Sequence, residues 1–266
     1  MRKHIHYIGI ALLFFLTSCE KVINIDTADG SGKIVVEGAI TNESGTCMVL
    51  VSTTKQFSEN NDFAGLSGAI VTVTEVGGPT TTLTETAPGV YQAPSLAGTS
   101  GKTYQLRVES NGQVFTSSST MPEQVPLDTA FAKEEQLFGD TRLLVQAEYQ
   151  DPAGKRNYYR FIQYVNGVKE KSIFIRDDGF SDGNKVKFVL RFFSDEDEDD
   201  LKVGDNIRIQ MQCIDANVHK YWYSLDQSAT GDNQSAAPSN PVSNISGGAL
   251  GYFSAHTLQT REFVIQ

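Results

Sequence analysis

The feature that most constrains this chain is its rhythm. From Lys33 onward, short runs of alternating apolar and polar residues are broken roughly every eight to twelve residues by turn residues. Ala69-Ile70-Val71-Thr72-Val73-Thr74-Glu75 alternates with period two, which puts its apolar side chains on one face of a strand. Tyr104 to Val108 repeats the pattern. Ile34 to Ile40 and Cys47 to Val51 read as two further strands, and Thr80 to Leu83 and Val90 to Gln92 as shorter ones. Asn111-Gly112 is a hairpin signal, because both residues tolerate the positive φ that a tight two-residue turn requires. About seven strands in this stretch, with no helical period, point to an immunoglobulin-like sandwich over residues 33–120.

Pro122 and Pro126 bracket a linker over residues 121–127. Residues 128–266 read as a second β-rich domain, so the fold class is all-β with a single helix. Its strands are expected over Arg142 to Tyr149, Tyr158 to Val165, Val168 to Ile175, Val186 to Phe193 and Asn206 to Ile214. Asn166-Gly167 marks another hairpin. Asp215 to Ser228 is the predicted helix: Asp215 is suited to cap free N–H groups of its first turn, and Val218, Trp222 and Leu225 share one face. Ala229 to Gly248 is a long polar loop, and Ala249 to Ser254 and Arg261 to Ile265 read as closing strands.

The N-terminus carries a different message. Arg2 and Lys3 precede an apolar run from Tyr7 to Leu16. That run is about half the roughly 20 residues a spanning helix needs, which fits a cleaved signal over residues 1–18. Leu16-Thr17-Ser18-Cys19 resembles the bacterial lipobox, so Cys19 is the expected lipid attachment site, with residues 19–32 as a tether. Lipid chains would hold the protein on its membrane, each buried methylene adding about 0.8 kcal/mol. The chain holds 22 Lys and Arg against 32 Asp and Glu, and removing the signal takes away two of the basic residues. Such a charge argues against nucleic-acid binding, which needs basic patches. With Cys19 lipidated, Cys47 and Cys213 remain; two separate buried thiols are expected, with a bridge between them as the alternative that an oxidising export compartment permits.

Across residues 19–266 the chain resembles a family of outer-membrane lipoproteins of the Bacteroidota, domain of unknown function 4249. The likeness is carried by Cys19-Glu20-Lys21 leading into Ile34-Val35-Val36-Glu37-Gly38-Ala39-Ile40-Thr41-Asn42, by Gly68 to Val73, by Pro88-Gly89-Val90-Tyr91, and by Gly101 to Val108. Near the end it is carried by Tyr221-Trp222, Pro241 to Ile245 and Gly248 to Phe253. Members are typically encoded beside TonB-dependent outer-membrane receptors. The resemblance therefore implies a lipid-anchored accessory or ligand-binding protein of the outer membrane, on its periplasmic or its cell-surface face, partnered with such a receptor in nutrient uptake. It carries over no catalytic residue.

Motifs for chemistry are sparse. The chain has no phosphate loop, no GxSxG elbow and no CxxC pair, and His219 and His256 lack partners at short zinc-ligand spacing. The acidic run Asp195 to Asp200 and the cluster Asp177, Asp178, Asp182 and Asn184 miss the twelve-residue calcium-loop pattern and read as solvated turns. No catalytic, cofactor or metal site is therefore assigned. Aromatic residues are the remaining site material. Tyr159 and Phe161 share one face of their strand, and Tyr158 and Tyr164 the other. Tyr158, Tyr164 and Tyr223 are the expected ligand or partner contacts. A hydrolase of surface polymers and a structural or adhesive sandwich protein are the alternative readings.

Overall fold

The computed structural model describes residues 32–55, 63–137, 139–190, 200–229 and 240–266. The expected signal, Cys19 and the tether up to residue 31 lie outside these, as do residues 191–199 and 230–239. The first half contributes β1 (Ile34–Thr41), β2 (Met48–Thr53), β3 (Ile70–Glu75), β4 (Thr80–Thr82), β5 (Thr84–Ala87), β6 (Val90–Gln92), β7 (Thr103–Ser110) and β8 (Gln113–Thr120). The second contributes β9 (Leu127–Leu137), β10 (Asp140–Gln150), β11 (Tyr158–Val165), β12 (Val168–Lys169), β13 (Phe174–Asp177), β14 (Lys185–Leu190), β15 (Asn206–Ile214), helix α1 (Ala216–Ala229) and β16 (Leu250–Val264). The protein is all-β with one helix among the described residues. Both Asn-Gly pairs turn their hairpins with positive φ: 50° and 75° at Asn111-Gly112, 51° and 84° at Asn166-Gly167.

The strands form two sandwiches that share one sheet. That sheet runs β12-β11-β15-β16-β1-β2-β6-β5, with β13 also paired to β11. A four-stranded sheet, β4-β3-β7-β8, faces one half of it, and a three-stranded sheet, β14-β10-β9, faces the other. The first core gathers Val36, Ile40, Val49, Val51, Val71, Val73, Leu106 and Val108, the apolar positions of the alternating strands. The second gathers Val145, Ala147, Tyr149, Tyr159, Phe161, Ile207, Ile209 and Met211.

β16 joins the two. From Leu250 to His256 it lies parallel to β1, pairing Val35 with Leu250 and Thr41 with His256. From Thr257 to Val264 it runs antiparallel to β15. Phe253 and Ala255 fill the first core, and Ile265, just beyond the strand, fills the second. Gly251 makes the parallel pairing possible. Its φ is +99°, and a Cβ there would stand 2.0 Å from the Val36 carbonyl oxygen.

This arrangement alters the expected boundaries. The sandwich over residues 33–120 is not closed by its own strands, since Ile245, Ala249, Phe253 and Ala255 complete its core. Residues 121–127 are no loose connection either. Met121 is buried in the first core, Val125 and Leu127 in the second, and Gln259 clamps the C-terminal end of the segment. Its amide nitrogen donates to the Val125 carbonyl at 2.6 Å, and its amide oxygen accepts from the Leu127 N–H at 3.1 Å. The two expected closing strands are one, because His256, Thr257, Gln259 and Thr260 interrupt the apolar pattern without interrupting the strand. β9 gives no clear strand signal, as its Lys133-Glu134-Glu135 stretch carries the charge typical of a sheet edge. The cysteines are free and buried in different cores, Cys47 in the first and Cys213 in the second. Burial pushes the Cys47 thiol up to about 11.

Candidate functional site

The site region grows from α1, which lies on β11, β13 and β16. Asp215 starts the helix as expected, its Oδ1 accepting from the Asn217 and Val218 N–H groups at 2.9 Å each. Its other oxygen accepts from the Ser119 hydroxyl on β8. Ser119 Oγ in turn accepts from the Ala255 N–H at 2.8 Å. One cap thus fixes the helix to the last strand of the first sandwich and to the shared strand.

Helical spacing then sorts the side chains into three stripes. Val218, Tyr221 and Trp222 are buried against the sheet, with Leu225 half-buried beside them. The Arg160 guanidinium lies 3.5 Å from the Trp222 ring centroid, and Tyr252 packs against both Tyr221 and Trp222. Arg160 is itself buried and donates to Gln212 Oε1 at 3.2 Å. Burial lowers its pKa, and the surrounding Tyr252, Tyr164 and Tyr221 oppose that shift. On the same sheet face His256 is held to about 3 by burial and by Arg160's charge, so its ring is neutral. Ser254 and His256 hydrogen-bond at 2.9 Å, but both are buried and have no open approach for a substrate.

The second stripe, with Asn217 and Lys220, faces a cleft of about 700 Å³. Its floor is the outer face of the four-stranded sheet: Thr72, Thr74, Gln105 and Arg107 project from the side opposite the core, with Thr116 and Ser118 beside them. Its far wall is Val242 to Ser246, the described end of the long polar loop. That wall is pinned at several points. Thr116 and Ser246 exchange two backbone bonds, Ser117 Oγ donates to the Asn244 carbonyl, and the Asn244 amide exchanges two bonds with the Phe253 backbone. Ser224 Oγ accepts from the Val242 N–H at 2.8 Å and ties the wall to the helix. Hydroxyls, amides and two cationic side chains dominate the lining. Such a surface suits a polar ligand held by many hydrogen bonds.

The third stripe holds His219 and Tyr223. The Tyr158 ring lies 4.9 Å from His219, and the His219 ring stacks at 19° on Tyr223, 6.3 Å away. Burial lowers the His219 pKa, opposed by Asp177 and aided by Arg156. Two of the three expected contact residues, Tyr158 and Tyr223, therefore meet through a histidine. Tyr158 is half-buried and Tyr223 is 52% exposed. Tyr164 stands apart at the other end of β11, under the Arg208 guanidinium at 3.9 Å. Tyr159 and Phe161 face the second core, as strand alternation requires.

Other residues carry weaker or no sequence signals. Arg160 is a charge in an aromatic strand, a signal that the pattern contains but that periodicity alone does not interpret. The cleft threonines and serines give no signal, since an outward hydroxyl on a strand looks solvated. Of the acidic residues, Asp177 pairs with Arg156 at 3.0 Å, while Asp178 is buried rather than solvated. Asp200, the described end of the acidic run, pairs with Arg142 at 3.3 Å. Among the described residues no helix is long and apolar enough to cross a membrane.

A comparison with curated proteins found no match. A family described as "Domain of unknown function (DUF4249)" matches residues 20–262, nearly the whole chain. The matched span runs through both sandwiches, the helix and the cleft, and the chain belongs to this family.

Proposed function

We propose that this chain is an outer-membrane, lipid-anchored accessory protein that binds a polar ligand and works with a TonB-dependent receptor in nutrient uptake. The observation that carries the reading is the hydroxyl-rich cleft between the four-stranded sheet, α1 and the Val242–Ser246 wall. Its volume lies within the range of about 300–1,000 Å³ usual for small-ligand sites. Its lining offers donors and acceptors in place of a concentrated acid–base or nucleophilic arrangement, which suits capture over chemistry. The signal-like N-terminus and Cys19 support the anchor, and the resemblance to receptor-linked lipoproteins supports the partner. Tyr158, His219 and Tyr223, on the opposite flank of α1, are a surface for partner contact.

A panel of oligosaccharides and short peptides, titrated calorimetrically into the purified chain, tests the ligand half of the proposal. At least one class is expected to bind uncleaved. Ser118→Trp, which places a large ring on the cleft floor, is expected to abolish that binding while leaving the fold intact. Cleavage of a panel member would instead support the surface hydrolase reading.

A further inference from the structure

Two loops meet at one end of the second sandwich. One follows β10 and carries Asp151, and the other joins β13 to β14 and carries Asp178 and Asp182. Backbone and side-chain bonds lock them together. The Asp151 N–H donates to the Asn184 carbonyl, the Gly154 N–H to Asp182 Oδ1 at 2.7 Å, and the Asn157 N–H to Asp178 Oδ2 at 2.7 Å. Gly183, with φ +71°, lets the loops close, since a Cβ there would lie 2.9 Å from that of Ala153. The result brings one carboxylate oxygen from each of Asp151, Asp178 and Asp182 within 4.8 Å of the others.

Asp151 and Asp178 are 1% and 2% exposed, whereas acidic turns are ordinarily solvated. The Tyr159 hydroxyl donates to Asp151 Oδ1, but Asp151 Oδ2 is buried with no hydrogen-bond partner. Ser181 Oγ, in the same loop as Asp178 and Asp182, is also buried and unpartnered. Arg156 Nε pairs with Asp178 at 3.2 Å and supplies one positive charge against three carboxylates. A buried, unpaired carboxylate oxygen beside two like charges is an unfavourable arrangement unless something positive completes it.

We propose that Asp151, Asp178 and Asp182 form a calcium site that clamps the β10–β11 and β13–β14 loops together. The ligand chemistry is that of hard oxygens. Calcium takes six to eight of them at about 2.3–2.6 Å, so ligands across one ion stand up to roughly 5 Å apart, and the cluster fits within that span. Asp182 is exposed, which leaves one side of the ion open to water. Tyr159 acts as a positioning residue, orienting the Asp151 carboxylate from within the second core.

Isothermal calorimetry of the full-length chain in detergent, stripped with chelator and titrated with calcium chloride, tests the site. Saturable one-site binding is expected, with a matching rise in melting temperature. Asp151→Asn is expected to abolish both, and Tyr159→Phe to weaken affinity by about 10–100-fold by releasing the ligand's orientation. Should Asp151→Asn fail to fold, the exposed Asp182→Asn decides, with binding lost and the melting temperature in chelator unchanged. Absence of saturable binding at millimolar calcium, or equal affinity in wild type and the folded Asp variant, would overturn the site.

Discussion

Replacing Trp222 with alanine removes the centre of the packing between α1 and the shared sheet. The indole is 9% exposed and touches Tyr221, Tyr252 and the Arg160 guanidinium. A buried tryptophan withdraws roughly 200 Å² from water, which at about 25 cal/mol per Å² corresponds to about 5 kcal/mol. Observed truncations of buried Trp and Phe cost about 3–5 kcal/mol, because the site partly collapses. Arg160 also loses the ring face on which it rests, a contact worth about 2 kcal/mol when desolvated. A loss of about 5–7 kcal/mol is therefore expected, close to the whole stability of a weakly stable protein. Trp222→Phe keeps a ring against Arg160 and is expected to lose about half as much. Urea unfolding followed by circular dichroism measures both. Trp222 is also the single tryptophan, so wild-type fluorescence reports this site directly and is expected to be blue-shifted. A loss below about 1.5 kcal/mol for the alanine variant, or a solvent-like emission maximum in the folded protein, would refute the reasoning.

Three further outcomes are expected. His256 has a folded pKa near 3 against about 6.5 unfolded, so the unfolded chain takes up its proton first and stability falls as pH drops below about 6.5. His256→Gln should flatten that fall by up to about 1.4 kcal/mol per pH unit between pH 6 and 5, read from urea midpoints, and an unchanged pH dependence would contradict it. Gly251→Ala forces a side chain into a positive-φ position against the Val36 carbonyl and should cost about 3 kcal/mol or more in the same assay. On the proposed reading Cys19→Ser removes the lipid-accepting thiol, and fractionation should recover the variant unprocessed or soluble; partitioning equal to wild type would contradict the anchor.

The strands with period-two alternation were legible because each has one face in a core: Val71 and Val73 on β3, Leu106 and Val108 on β7, Ile207 and Ile209 on β15. The helix was legible because Asp215 and the Val218–Trp222 stripe carry its cap and its buried face in local sequence. What local pattern could not carry was partnership. Nothing within residues 33–120 announces that β1 takes its parallel neighbour from the last strand, because such a pairing depends on residues more than two hundred positions away. β9 escaped notice because edge strands tolerate charge on their outward side. The cleft was not legible. The polar loop that supplies its wall was expected only as a loop, and its hydroxyl floor comes from outward positions that look like ordinary solvated strand residues. Of the expected aromatic contacts, Tyr158 and Tyr223 converge because helix and strand bring them to the same edge through His219, and no spacing in the sequence encodes that meeting.

The central claim is partnership with an outer-membrane receptor, and crosslinking in intact cells tests it most directly. A photo-activatable residue at Tyr223, on the exposed aromatic flank, and another at Val242, on the cleft wall, each place a reactive group on a surface named above. After irradiation, detergent extraction and mass spectrometry, the account predicts peptides of a TonB-dependent receptor joined to at least one of the two positions, and their loss in Cys19→Ser. Efficient crosslinking that yields no receptor peptides from either position would contradict it.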